Sequence, residues 1–239
     1  IDDPEVFKAL LGAVEDFGKE HGMEIIHGPW GFNDTDREGM LTYGFDRVAT
    51  YVTNYSYPYF CERMKELGFD DESKWLEKEF AIPDKPYERM LDVAKKVEEK
   101  IEVKDVALTM PLKDIVKQYG AKLFDTYNKA YAPLDGFVPV DELTEKNVLK
   151  TFATVLNKRY ISILVDKNDE VAAFGVVIPS LVKPLAKHRG KLFPTGFIGI
   201  LSSIKKPEAL EMALIGVRPE YKNTGINAVV IAHIMNHVI

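Results

Sequence analysis

Cysteine is almost absent: Cys61 is the only one in 239 residues. That excludes an internal disulfide and fits a reducing compartment, the cytoplasm. A cationic excess is missing as well, since 31 Lys and Arg against 37 Asp and Glu leave a net charge of −6. Without a basic stripe to neutralise phosphates, nucleic acid is excluded as a general partner. No apolar run reaches the ~18 residues of a membrane span and no signal peptide opens the chain, so no membrane is expected among its partners. Gly-x-Ser-x-Gly and Gly-x-Gly-x-x-Gly do not occur, which argues against a serine hydrolase and a dinucleotide dehydrogenase. His233 and His237 stand four apart without a glutamate between them or a third ligand nearby, so no metal site is expected. The chain opens on Ile1 and stops at Ile239 inside a helical pattern, and is expected to be a piece of a longer protein.

What is present is enough apolar content, 46%, for one large core or two small ones. The segment 3–21 predicts a helix capped by Asp3, with Pro4 at its first position and Phe7, Leu10, Leu11, Val14 and Phe17 on one face. Met23 to His27 reads as a short strand. Gly28 to Asp46 is then either a binding or lid element, with Asp34, Asp36 and Glu38 shaping a pocket, or an ordered connection with Asx turns at Asn33 and Asp34. A helix over 58–67 stops at Gly68, and a strand is expected over 73–82. Two prolines in Pro83-Asp-Lys-Pro86 mark the domain boundary, giving units 1–84 and 85–239. Helices over 87–100, 112–131 and 144–156 follow, with a strand within 102–108. Tyr160–Val165 and Val171–Ile178 flank a polar turn and predict a β-hairpin.

The most informative stretch is 208–238. An apolar run, Leu210 to Val217, predicts a buried strand, and a helical pattern resumes at Ile226. Between them lie Lys222, Asn223, Thr224, Gly225 and Asn227. A cation, small polar residues, a glycine that lets the backbone come close and a helix N-terminus behind them suit a phosphate cradle.

The spacing Ile215-x-Val217-x-Pro219-Glu-Tyr-Lys222-Asn-Thr-Gly225-Ile226-Asn227 resembles the signature of the GNAT superfamily of acyl-CoA N-acyltransferases. Lys222 stands where that family has Arg or Gln, and Asn227 where it has Gly or Ala. The resemblance implies an α/β (α+β) fold, a mixed and mainly antiparallel sheet flanked by helices. It implies acetyl-CoA as co-substrate, held by the backbone at Val217 and by Lys222, Asn223, Thr224, Gly225, Ile226 and Asn227. Met64-Lys-Glu-Leu-Gly68-Phe69 is similar to the ending of the family's last helix, with Met64 in place of a proton-donating tyrosine and Tyr57 in place of an asparagine that contacts the coenzyme. The chain thus resembles uncharacterised bacterial proteins with tandem GNAT-like domains, as two incomplete units: the second half of one domain and the first two-thirds of the next.

Acyl transfer to an amine needs a base for the ammonium and donors for the oxyanion. Glu211 is the candidate base, expected on the face of Ala213 and Ile215 by period two, with an edge-facing or salt-bridged glutamate as the alternative. No acid is assigned; Tyr55, Tyr57 and Tyr59 are either replacement donors or packing residues. Lys183, Lys187, His188, Arg189 and Lys191 form either an anionic-ligand patch, towards the coenzyme's 3′-phosphate, or the ordinary surface charge of an insertion. The expected partner is a small-molecule amine, with a homo-oligomer left open. The alternative function is a catalytically inactive ligand-binding or assembly module.

Overall fold

In the computed structural model, which describes residues 2–33, 36–50, 53–134, 136–152 and 156–239, the chain divides into two units, Ile1–Phe80 and Ala81–Ile239. In the first, α1 (Pro4–Glu20) starts where expected. The Asp3 carboxylate accepts from the N–H groups of Glu5 and Val6 at 3.0 and 3.1 Å, a cap that contributes about 1 kcal/mol. Phe7 is buried and meets Phe60 of α2 (Pro58–Glu66) edge to face at 5.3 Å. Of the rest of the α1 stripe, Leu11 is half-buried and Leu10, Val14 and Phe17 are exposed.

The strands expected over 23–27 and 73–82 are not formed. A strand exists only by pairing, and no described residue of 2–80 has a partner strand, so Trp75, Leu76 and Phe80 stand in solvent.

The second unit runs α3 (Glu88–Ile101), β1 (Lys104–Asp105), α4 (Leu112–Tyr131), α5 (Glu142–Phe152), β2 (Ile161–Val165), β3 (Val171–Pro179), α6 (Val182–Lys187), α7 (Gly196–Lys205), β4 (Leu210–Val217) and α8 (Ile226–Val238). The helix expected over 144–156 begins two residues early and is followed to Phe152; residues 153–155 lie outside those described, and Leu156, its expected end, is not helical. The four strands form one antiparallel sheet in the order β1-β2-β3-β4. The fold is therefore the expected mixed α/β class with an antiparallel sheet.

Both faces of the sheet are covered, which is why all five residues of β2 are buried. On one face Ala94 of α3 and Val229, Val230, Ala232 and Ile234 of α8 pack against Leu164, Ala173 and Val177. On the other, Ile115, Tyr119, Phe124 and Tyr127 of α4 pack against Ile163, Val165 and Phe174. Thr126 pins α4 by donating to the Val171 carbonyl at 2.6 Å. β1 is shorter than expected because Asp105 takes over its ladder. Its carboxylate accepts from the N–H of Ile163 at 3.1 Å and of Ala107 at 2.8 Å, turning the chain away.

Candidate functional site: the β4 edge and the turn into α8

After Val217 the chain passes through Arg218, a 3-10 turn at Pro219–Tyr221, then Lys222 to Gly225 into α8. Asn223 and Gly225 adopt left-handed backbone, φ 64° and 88°, which glycine and asparagine tolerate best. A Cβ at Gly225 would come within 3.2 Å of Val97, so the turn sits tight on α3. Lys222, Asn223, Thr224 and Asn227 are exposed and Gly225 half-buried, whereas the Ile226 side chain lies in the core. Ile226 can therefore serve a ligand only through its N–H, which like that of Asn227 has no acceptor within the helix. The Thr224 hydroxyl donates to the Tyr221 carbonyl at 2.7 Å and closes the turn.

Two residues that the sequence reading passed over hold this turn in place. The Tyr221 hydroxyl donates to Asp166 Oδ2 at 2.9 Å, while Asp166 Oδ1 accepts from the N–H groups of Asn168 and Glu170 in its own hairpin turn. Burial pushes the Asp166 carboxyl up, but these hydrogen bonds together hold it below its ordinary range. The Arg218 guanidinium reaches Asp125 of α4 at 2.8 Å and Glu170 at 3.2 Å. Its charge is thus spent on neutralising two carboxylates beside the turn, and Lys222 supplies the exposed cation.

β4 is the last strand of the sheet. Arg218 N–H donates to Ala172 O at 2.9 Å, so by the antiparallel alternation Val217 and Ile215 direct their backbone groups away from β3. The Tyr131 hydroxyl donates to the Ile215 carbonyl on that edge at 3.1 Å.

Glu211 is buried, 7% exposed, but on a different face from the one expected. Val176 pairs with Leu214 and Val177 with Met212, leaving Ala213 as a one-residue bulge. Beyond the bulge the alternation is inverted. Glu211, opposite Ile178, shares the face of Leu214 and Gly216 and not that of Ile215. It lies six positions before Val217 along the strand, on the order of 20 Å.

Compared with known proteins, the chain is 26% identical to "Protein YghO" of Escherichia coli (strain K12) over 246 residues, covering 96% of this chain and 58% of that one. It is 23% identical to "Bacterial ceramide synthase" of Caulobacter vibrioides over 239 residues, covering 93% and 57%. The chain spans less than three-fifths of each. No described protein family matches it, and no solved structure matches it significantly.

His233 of α8 is held between two carboxylates. His233 Nδ1 lies 2.8 Å from Asp105 Oδ2 and Nε2 lies 3.3 Å from Glu98 Oε1. Ser162 also donates to Asp105 Oδ2, at 2.6 Å. The Asp105 hydrogen bond raises the His233 pKa against burial, with Glu98 adding to the rise. The Asp105 carboxyl, pushed up by burial, is brought below its ordinary value by bonds from His233, Ser162 and the backbone of Ala107 and Ile163. No group of three such ligands able to hold a metal occurs among the described residues.

In the first unit, Tyr57 stacks on Tyr59 at 6.2 Å and meets Tyr55 edge to face at 5.9 Å, with Tyr55 and Tyr57 exposed. Among its described residues, the Gly28–Asp46 segment is tied by hydrogen bonds. Phe32 N–H donates to Asp36 Oδ2, Gly39 N–H to Pro29 O, and Leu41 N–H to the Ser56 hydroxyl. Asp34 lies outside the described residues.

Proposed function

We propose that this chain carries the coenzyme-binding part of an acyl-CoA-dependent N-acyltransferase. The observation that carries the reading is the turn from β4 into α8. It offers exposed Lys222, two left-handed backbone positions and helix-start N–H groups, beside a strand edge whose Val217 and Ile215 backbone faces outward. The cradle would hold the pyrophosphate of acetyl-CoA or a longer acyl-CoA, and the edge would hold the pantetheine arm. The amine nitrogen attacks the thioester carbonyl, the C–S bond breaks, and the thiolate takes a proton as the amide forms. The likeness to a protein named bacterial ceramide synthase supports the bond type, because a ceramide is an amide of a fatty acid. The strand–helix–helix–strand–strand–strand–helix order from β1 to α8, with α6 and α7 as an insertion, supports the GNAT-like reading.

Glu211 is the candidate base, one strand length from the cradle. Glu211→Gln is expected to lower kcat at least tenfold while leaving the Kd for acetyl-CoA unchanged; a rise in that Kd with kcat intact would remove it from this role.

Calorimetric titration of acetyl-CoA, with free coenzyme A as control, into the chain and its Lys222→Glu variant tests the reading. Binding in the micromolar range, about −8 kcal/mol, is expected and should be lost in the variant. No heat with either ligand would favour the second reading, a GNAT-like ligand-binding or assembly module without catalysis. Asn227 supports that alternative, since it places an exposed side chain at the helix start, where a coenzyme phosphate would approach.

A further inference from the structure

The segment between β3 and β4 lies outside the site described above, and its side chains are disposed unlike those of the rest of the unit. α6 and α7 close on each other through glycine. A Cβ at Gly199 would stand 3.0 Å from Pro184, and one at Gly196 would overlap the Lys191 carbonyl at 2.1 Å. Five apolar residues of the bend and of α7 are left in solvent, while Ile200 and Ile204 are half-buried: Leu192 is 48% exposed, Phe193 78%, Phe197 40%, Ile198 56% and Leu201 53%. Phe197, Ile198 and Leu201 share one face of α7 by helical spacing, and the Phe193 and Phe197 rings lie 5.8 Å apart at its start.

Within the segment itself the charge is of one sign. From 180 to 206 there is no Asp or Glu, and there are six cations: Lys183, Lys187, Arg189, Lys191, Lys205 and Lys206. The chain as a whole is at −6, so everything outside the hairpin sums to −6 − 6 = −12. Lys183 is paired with Glu208 at 2.8 Å, just beyond the segment. The other five flank the apolar residues, Lys205 one helical turn beyond Leu201 on the same face.

A two-fold contact with a second copy would set these like charges against each other. A nucleic acid could stack bases on Phe193 and Phe197 but would leave the exposed aliphatic Leu192, Ile198 and Leu201 without a matching contact. An anionic bilayer satisfies both halves, because the acyl boundary takes the apolar tips and the headgroup phosphates take the cations.

We propose that the α6–α7 hairpin docks this protein peripherally on an anionic membrane surface. Leu192, Phe193, Phe197, Ile198 and Leu201 enter the headgroup boundary, and Lys187, Arg189, Lys191, Lys205 and Lys206 meet lipid phosphates. The sequence-based expectation of no membrane partner counted long apolar runs. A docking face is assembled instead from separated positions that the folded hairpin brings together. The inference rests on exposure and charge alone and stands whether or not the β4 edge binds a coenzyme.

Vesicle flotation of the full chain tests it, with phosphatidylglycerol-containing and pure phosphatidylcholine vesicles at low and physiological salt. Co-flotation with the anionic vesicles is expected, weakening with salt and about tenfold or more weaker on phosphatidylcholine. The double variant Phe197→Glu/Ile198→Glu should abolish it. Lys191→Glu/Lys205→Glu should weaken it by about fivefold per cation removed. All four positions are exposed, and unchanged thermal melts would show that both variants fold. No flotation with anionic vesicles at low salt overturns the proposal, as does flotation that both variants retain. A dimer in sedimentation that Phe197→Glu/Ile198→Glu dissociates, without vesicle binding, would give the face to a second copy and overturn it too.

Discussion

At the scale of single residues, the turn from β4 into α8 is held both by its own bonds and by groups reaching it from the β2–β3 hairpin. Asp166 divides its two oxygens between tasks: Oδ1 closes its own turn and Oδ2 receives the Tyr221 hydroxyl. Burial, and then the bond to Asp166, push the Tyr221 phenol pKa up, so the hydroxyl keeps its proton and stays a donor at neutral pH. Tyr221→Phe removes one hydrogen bond from a half-buried pair and should cost about 1 kcal/mol in a thermal or urea melt. If the turn binds acyl-CoA, the same variant should weaken that binding severalfold, although Tyr221 is not expected to touch the ligand. An unchanged Kd with a lowered melting temperature would show that the turn is preorganised by Thr224 and Gly225 alone.

At the scale of elements, the site depends on how α8 sits on β3. Gly175 faces that helix: a Cβ there would stand 2.5 Å from Val230 Cγ1 and 2.9 Å from Ile234 Cδ1. Both side chains are buried and have no room to turn aside. Gly175→Ala should therefore displace α8 and destabilise the chain by about 1–3 kcal/mol, measured by urea denaturation. A neutral result would mean that α8 slides without loss, and that the geometry of the turn into it is not fixed by this packing. The elements themselves were legible where their signal is local. The β2–β3 hairpin showed in its β-rich runs and polar turn, α4 in its apolar spacing, and α8 in the pattern that resumes at Ile226. The bulge at Ala213 was not, since period two reads the same on either side of one extra residue, and Glu211 was accordingly assigned to the wrong face. Strands in 2–80 were misread because pairing is non-local, and an apolar run carries no record of whether a partner strand exists. The spacing of His233 and His237 suggested only that metal could be asked about. The carboxylates that occupy His233, Asp105 and Glu98, come from elements more than a hundred residues earlier.

At the scale of the whole molecule, Phe7 apart, every buried hydrophobic among the described residues lies in Ala81–Ile239, so a global melt chiefly reports that unit. His233 ties three of its elements together, α8 to β1 through Asp105 and α8 to α3 through Glu98. Its pKa is raised in the folded chain, foremost by the bond to Asp105. The imidazolium therefore binds its proton more tightly folded than unfolded. The stability this contributes is full below the ordinary histidine value, about 6.5, and is lost as pH rises through the raised folded value. Asp105 has the opposite sense. Its depressed pKa contributes stability above the ordinary carboxylate value, about 3.9, which is lost as pH falls through the folded one. Together the pair predicts a plateau from about pH 4 to 6.5, with a decline on the alkaline side that belongs to His233. In His233→Gln, which keeps a polar side chain but cannot titrate, the plateau should sit lower and the alkaline decline should vanish. Melting temperatures of both proteins, followed from the plateau up through the raised histidine value, decide the matter. Parallel curves would place the pH dependence in other groups and leave the His233 bridge a neutral hydrogen bond.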